Sequence, residues 1–181
     1  MFSIQTIIPS IRQLKDMDKA LSSQSDYMLL SEAHIGNLKT LTDRCHQAGK
    51  KVLVHVDLIE GLSKDTKGIK WLKELFKVDG VISPNKRLLN AARKLDLLAI
   101  YRVFLLDSRS LEQSLHSIAD AQFDAVEILP GPFAIHFVSQ IQEAIPNTSL
   151  LAGGFLNSRE QIDHVFQAGF KAVTTSAKEV W

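Results

Sequence analysis

The chain has 181 residues, of which 45% are hydrophobic and 23% are charged, and its formal net charge at pH 7 is +1. This composition is typical of a globular protein with one buried core, and it excludes a membrane protein because no apolar run approaches the roughly 18 residues of a span. A net charge near zero is also not the signature of a nucleic-acid binder. The first residues lack the basic and apolar regions of a secretory signal, so we expect a single cytoplasmic domain over residues 1–181.

Strand-like and helix-like segments alternate along the chain. Short apolar or alternating runs predict eight strands, at 4–8, 27–30, 52–57, 81–83, 98–103, 125–128, 150–152 and 172–175. Apolar residues at helical spacing predict helices between them, with stripes at Ile11, Leu14 and Leu21; Ile69, Leu72, Leu75 and Phe76; Leu88, Ala92 and Leu95; Leu111, Leu115 and Ile118; and Val138, Ile141 and Ile145. Alternation of this kind predicts an α/β fold with a parallel sheet.

The last two predicted strands each end in a loop suited to an anion. Gly153 and Gly154 follow the seventh strand and let backbone N–H groups approach a ligand without a Cβ in the way. The eighth strand ends in Thr174, Thr175 and Ser176, whose hydroxyls and amides are predicted to begin a short final helix that attracts anions. Such paired loops predict a small TIM-type (β/α)8 barrel with phosphate-binding loops after strands 7 and 8. An open doubly wound sheet explains them less economically.

Strand alternation predicts which polar side chains face the barrel interior. In the run 52–57, three valines occupy one face, so His55 and Asp57 occupy the other and point inward. The same reasoning places Arg102 and Glu127 inward on later strands, and Glu60 in the loop after the third strand. These five residues form a predicted polar ligand pocket. The alternative is a buried network in which the charges neutralise one another. We expect no cofactor, although a divalent cation on Asp57, Glu60 or Glu127 is a further alternative.

Several separated motifs follow one another along nearly the whole chain. They are HVDLIEGLSKD at 55–65, DGVIS at 79–83, IYRVFLLDS at 100–108, EILPG at 127–131, AGG at 152–154, the Thr-Thr-Ser ending at 174–176 and the final Trp181. Together, in this order, they resemble the glycerol-3-phosphate-responsive antiterminator family. The resemblance implies a cytoplasmic bacterial regulator that binds glycerol 3-phosphate and acts on the leader mRNA of glycerol-catabolic genes, so that transcription passes a terminator. It also implies that Gly153, Gly154, Thr175 and Ser176 hold the phosphate.

An enzyme is the competing interpretation. Barrels with phosphate loops often act on small phosphorylated polyols as isomerases, aldolases, phosphodiesterases or synthases, and His55, Asp57 and Glu127 are suited to acid–base work. Against an enzyme, the sequence has no HExxH motif, no zinc-spaced Cys/His cluster and no lysine on a predicted strand for a Schiff base. We therefore favour a regulator without catalytic residues.

Basic residues are concentrated in one part of the chain. Residues 64–94 contain nine basic and three acidic residues, whereas the rest of the chain contains twelve basic and seventeen acidic residues. Two neighbouring outer helices are therefore a candidate RNA-binding face, formed by Lys64, Lys67, Lys70, Lys73, Lys77, Lys86 and Arg87. The alternative is a lysine-rich, solvated helix face. The sequence does not determine the oligomeric state, and a homo-oligomer is compatible with it.

Overall fold

The computed structural model describes residues 2, 4–119 and 123–181. Within these ranges, eight parallel strands close into a barrel, in which each strand pairs with the next along the chain and the last pairs with the first. The strands are β1 (Thr6–Ile11), β2 (Tyr27–Leu30), β3 (Lys51–His55), β4 (Gly80–Ser83), β5 (Leu98–Phe104), β6 (Ala125–Leu129), β7 (Ser149–Gly153) and β8 (Ala172–Thr175). All eight predicted strands are present, and the predicted TIM-type (β/α)8 barrel is confirmed.

Helices cover the outside of the barrel. They are α1 (Met17–Leu21), α2 (Ile35–Gln47), α3 (Thr66–Glu74), α4 (Lys86–Arg93), α5 (Ser108–Ala119), α6 (Gly131–Ala134), α7 (Val138–Ala144) and α8 (Arg159–Gln167), with 3₁₀ turns at Leu14–Asp16, Val56–Leu58, Ile135–Phe137 and Lys178–Val180. Outside the barrel, the two-residue strands Ala33–His34 and Ile59–Glu60 pair in parallel. None of the helices in the described ranges has the length and hydropathy needed to cross a membrane.

Local sequence explains where α3 and α8 begin. Asp65 caps α3, since its side chain accepts hydrogen bonds from the amides of Lys67 and Gly68 at 2.8 and 2.9 Å. Both hydrogen bonds lower the pKa of Asp65, and the bond from Gly68 has the largest effect. Ser158 and Gln161 form a capping box at the start of α8. Both helices therefore start at a fixed residue.

The barrel interior has an apolar layer and, nearer the carboxyl ends of the strands, a polar layer. The apolar layer is a single buried cluster that includes Ile8, Leu29, Leu53, Ile82, Ile100, Ala125, Leu151 and Ala172. Two residues further along seven of these strands lie the positions that we call the polar layer, namely Ser10, Ser31, His55, Arg102, Glu127, Gly153 and Thr174. Because strand side chains alternate between faces, both sets point inward. His55, Arg102 and Glu127 therefore point into the barrel, as the strand alternation in the sequence predicts.

Outside the barrel, the apolar side chains form two clusters. The first includes residues of α1 to α4 packed on β2, β3 and β4, together with Ala99 of β5 and the buried Cys45 of α2. The second joins residues of α5 to α8 to strands β6, β7 and β8. Tyr101 on β5 packs against both clusters, and its ring stacks on Phe123 with 4.9 Å between centroids.

Three boundary predictions are wrong. Ile11 belongs to β1, where it pairs with Leu30 of β2, so the first helix begins only at Met17 and Leu14 lies exposed in a 3₁₀ turn. Strand β3 ends at His55, because the chain turns directly into the 3₁₀ turn Val56–Leu58, so Asp57 is not on the strand. The predicted final helix is a three-residue 3₁₀ turn.

Candidate functional site

Glu127 is the centre of the polar layer. Its side chain is fully buried. One carboxylate oxygen accepts a hydrogen bond from Arg102 Nε at 2.7 Å, and the other accepts one from Thr174 Oγ1 at 2.6 Å. Strands β5, β6 and β8 are therefore joined by one carboxylate inside the barrel.

Gly153 gives this carboxylate its space. A Cβ at position 153 would lie 2.6 Å from Thr174 Oγ1 and 2.9 Å from Glu127 Oε1, closer than real Cβ contacts. The glycine that the sequence suggests for close ligand approach is thus also required by the buried Glu127–Thr174 pair.

His55 completes the network as a neutral base. Arg102 Nη2 contacts His55 Nε2, and because a guanidinium only donates, Nε2 is the acceptor and the ring proton lies on Nδ1. Among the described residues Nδ1 has no hydrogen-bond partner, although it is buried. Burial lowers the pKa of His55 below its ordinary value of 6.5, and the charge of Arg102 acts in the same direction, whereas Glu127 opposes both.

The pKa of Glu127 moves in the direction that keeps the carboxylate charged. Burial alone would raise it, but the charge and the hydrogen bond of the adjacent Arg102 guanidinium act against burial, and the pKa of Glu127 falls from 4.5 to about 2. The network therefore holds an ionised Glu127, a charged Arg102 and a neutral His55. The arrangement agrees with the interpretation as a buried network, because the charges of Glu127 and Arg102 neutralise each other. It also leaves room for the interpretation as a ligand pocket, because 14% of the Arg102 side-chain surface is exposed.

Acid should destabilise the protein in two stages. Unfolded His55 takes up a proton below about pH 6.5 whereas folded His55 resists it, so the free energy of unfolding falls as pH drops through this range. The contribution of Glu127 is complete above pH 4.5 and is lost as pH falls toward about 2, by about 3 kcal/mol in all. Urea unfolding from pH 7.5 downward measures both stages. The variant His55→Gln should lack the first stage, and equal pH profiles for the two proteins would contradict this assignment.

The predicted phosphate loops lie side by side. Gly153 pairs with Thr174 in register, so the residues that follow β7 and β8 leave the barrel together. The Thr175 hydroxyl is occupied, since it donates to Leu156 O at 2.6 Å and accepts from the amide of Ala177 at 3.0 Å. The hydroxyl groups of Thr174, bonded to Glu127, and of Thr175 therefore fix the conformation of the loops by hydrogen bonds within the protein. In the described part of the chain, the amides of Gly154, Phe155 and Ser176 donate no hydrogen bond.

A cavity of about 360 Å³ lies beside Ser176, between the ends of β1 and β8. Its lining includes Ser10 of the polar layer and equal numbers of basic and acidic side chains, namely Arg12, Lys15, Lys178, Asp16, Glu32 and Glu179. Arg12 is paired with Glu32 at 3.0 Å, and Lys178 lies 3.6 Å from Asp16. Sequence reasoning missed these three basic residues, because they are far apart in the chain and only barrel closure brings them to Ser176.

Large apolar side chains are exposed around the same end of the barrel. Six of them lie at or after the carboxyl ends of β2, β3, β5, β6 and β7, namely Ile35, Leu58, Phe104, Leu106, Phe133 and Phe155. Phe155 has a left-handed backbone with φ of 58° and follows Gly154 with φ of 75°. A bulky residue rarely adopts this conformation, and the Phe155 ring is 75% exposed. The end of the barrel is thus apolar at its rim and polar inside.

Two predicted pocket residues lie outside the network. Asp57 is in the 3₁₀ turn after β3 and accepts a hydrogen bond from Ser83 Oγ at 2.9 Å. Glu60 is exposed on a two-residue strand. Within residues 2, 4–119 and 123–181, no group of three or more His, Cys, Asp or Glu side chains is placed to hold a metal ion.

The predicted RNA-binding residues divide between two helices and their flanks. Lys67, Lys70 and Lys73 lie on α3, and Lys86 and Arg87 on α4, whereas Lys64 and Lys77 lie outside the helices. Lys73 donates to the carbonyl oxygen of Asp96 at 3.3 Å, so it links α3 to the loop after α4. A groove between the two helices is lined by Lys67, Lys70 and Arg87, and also by Lys94, which was not among the predicted residues.

The fold and the site together define a TIM-type barrel with a polar interior and two neighbouring loops, after β7 and β8, in which the amides of Gly154, Phe155 and Ser176 donate no hydrogen bond within the described residues. A crystal structure of a glycerol uptake operon antiterminator regulatory protein from Listeria monocytogenes is similar, with a TM-score of 0.92 and 36% identity over 99% of this chain and 96% of that one. A glycerol uptake operon antiterminator-related protein from Thermotoga maritima has a TM-score of 0.87 and 26% identity over 100% and 99% of the two chains. An uncharacterized protein of Escherichia coli, YgcP, is 29% identical over 97% of this chain and 91% of its own length.

The family model for the glycerol-3-phosphate responsive antiterminator matches residues 7–181. The chain belongs to this family, as the resemblance of its motifs predicted.

Proposed function

We propose that this protein senses glycerol 3-phosphate at the carboxyl end of the barrel and, with the ligand bound, acts on the leader mRNA of glycerol-catabolic genes as an antiterminator. Membership of the family supports the regulatory role. The observation that carries the ligand site is the set of amides at Gly154, Phe155 and Ser176, which donate no hydrogen bond in the described part of the chain. Ser176 also lines the cavity that holds Arg12, Lys15 and Lys178, together with three acidic side chains. Amides and cations of this kind suit a dianionic phosphate.

The polar layer suits the rest of the ligand. Glycerol 3-phosphate has two hydroxyl groups, which both donate and accept hydrogen bonds. Ser10 lines the cavity and belongs to the polar layer, so the cavity adjoins the barrel interior. Arg102 keeps part of its side chain exposed, and the carboxylate of Asp57 is half-buried at the same end. In this proposal Ser10, Arg102 and Asp57 contact the hydroxyl groups, Glu127 and His55 position Arg102, and no metal takes part.

An enzyme is less well supported. Two structures of deoxyribose-phosphate aldolases, one of them putative, share only 13% and 16% identity with this chain, so their similarity shows the fold alone. The polar layer contains no lysine among the described residues, so a Schiff base has no side chain to form on there. A regulator that binds a small phosphorylated polyol accounts for both the site and the family.

Isothermal calorimetry with glycerol 3-phosphate tests the ligand, with glycerol and inorganic phosphate as comparison ligands. We expect saturable binding of glycerol 3-phosphate by the unaltered protein. Ser176→Asp places a carboxylate on an exposed residue beside the bound phosphate, so affinity should fall about 10-fold or more. Ser176→Ala is the matched control and should cost much less. Absence of saturable binding by the unaltered protein would overturn the proposal.

A further inference from the structure

A groove of about 730 Å³ runs between α3 and α4, away from the ligand site. Its lining is Thr66, Lys67, Lys70, Arg87, Asn90, Ala91, Lys94 and Leu95. Four of these side chains are basic, and none of the lining residues that the structure describes is acidic. The two helices have nine and eight residues, so the groove is about 12 to 14 Å long.

The basic side chains of the groove are largely free to meet another molecule. Lys67, Lys70, Arg87 and Lys94 are all exposed. Over residues 2, 4–119 and 123–181, Lys70 has a distant partner in Glu74 at 3.8 Å, whereas no ion pair is recorded for the other three. A solvated helix face usually mixes charges of both signs, and a groove with four cations instead attracts a polyanion.

An exposed aromatic ring lies next to these cations. Trp71 on α3 is 48% exposed and follows Lys67 by four residues, which places the two side chains on the same side of the helix. An exposed aromatic ring beside basic residues is a surface on which an unpaired base stacks. The floor of the groove includes Ala91 and Leu95, so its apolar part also suits the flat face of a base.

We infer that the α3–α4 groove binds the sugar-phosphate backbone of the leader RNA. This inference rests on the proposed function and adds the surface that contacts RNA. The four basic side chains in the lining of the groove supply the positive charge that a phosphate backbone requires. Trp71 stacks on a base that extends beyond the groove.

The test measures RNA binding by the full chain with saturating glycerol 3-phosphate, using a labelled leader transcript that carries the terminator of a glycerol-catabolic operon. The groove variant is Lys67→Glu with Arg87→Glu, titrated between about 50 and 200 mM salt. We expect its affinity to fall about 10-fold or more, and the salt slope to decrease by about 0.7 for each lost phosphate contact. The matched control, Lys19→Glu with Lys171→Glu, makes the same charge change at exposed residues outside α3 and α4 and should bind as the unaltered protein does.

Each outcome distinguishes the groove from the ligand site. The groove variant should keep its affinity for glycerol 3-phosphate, which shows that it is folded. If the unaltered protein binds the transcript and the groove variant binds equally well with the same salt slope, the groove inference is wrong and the proposed function stands. If the unaltered protein does not bind the transcript, both are wrong. Loss of self-association by the groove variant, measured by sedimentation, would make the groove an interface between copies and would also overturn the inference.

Discussion

Replacing Glu127 with glutamine should lower the free energy of unfolding by about 3 to 5 kcal/mol. Glu127 is fully buried and its carboxylate faces Arg102 Nε at 2.7 Å. Glutamine keeps the shape of the side chain but removes its charge, so the Arg102 guanidinium, whose side chain is 14% exposed, remains without a counterion inside the barrel. The hydrogen bond from Thr174 also loses a charged acceptor, which weakens it.

Urea unfolding measures this effect, and a second variant isolates its cause. Arg102→Met together with Glu127→Gln removes the uncompensated charge, so the double variant should be more stable than Glu127→Gln alone. Thr174→Val is the control for the loss of the hydroxyl hydrogen bond alone, with both charges kept, and should cost about 1 to 3 kcal/mol. A Glu127→Gln variant that loses less than about 1 kcal/mol would show that water, rather than Arg102, compensates this carboxylate.

Replacing Gly153 with alanine should cost about 2 to 4 kcal/mol and also weaken binding of glycerol 3-phosphate. The added Cβ would lie 2.6 Å from Thr174 Oγ1 and 2.9 Å from Glu127 Oε1, so the methyl group must break their hydrogen bond or move β7. Either change displaces the loop that carries the amides of Gly154 and Phe155. Thermal unfolding and calorimetry measure the two effects.

Gly154→Ala is the matched control. Gly154 has φ of 75°, and a Cβ there would lie 3.4 Å from Leu129 Cδ2, which is an ordinary contact. Its cost is therefore only backbone strain of about 1 to 2 kcal/mol. Adding Thr174→Ala to Gly153→Ala removes the nearest clashing atom and should restore part of the lost stability. If both glycine variants lose the same free energy, the contact with Glu127 and Thr174 does not restrict position 153.

The sequence predicts the barrel well because alternation along a strand is a local property. Two-residue periodicity identifies the inward positions of His55, Arg102 and Glu127 without knowledge of the neighbouring strand. Strand ends depend instead on the conformation that the chain adopts next, and β3 stops at His55 where the 3₁₀ turn Val56–Leu58 begins. Asp57 was therefore predicted on a strand but lies in a turn.

The details of the site depend on distances across the barrel. The sequence indicates that the inward residues form a set, but not that Thr174 bonds Glu127 or that the Thr175 hydroxyl is occupied by Leu156. The exposed apolar rim has a signal in the sequence, since residues such as Phe104 and Phe155 come directly at or after strand ends. The sequence also places Lys67, Lys70 and Arg87 on a basic face, but not in one groove with Lys94, because that depends on how α3 packs against α4.

The division of the outer apolar side chains into two clusters bears on how the proposed ligand site and the proposed RNA-binding groove influence each other. The α3–α4 groove packs on the first cluster and Leu156, in the loop after β7, belongs to the second, whereas Trp181, after β8, packs on the first. Substitutions confined to different clusters should therefore have additive effects on stability. Tyr101 packs on both clusters, and Arg102 joins His55 on β3 to Glu127 on β6, so β5 contacts both halves of the barrel. Under the proposed function, we therefore expect substitutions on β5 to change the coupling between effector and RNA.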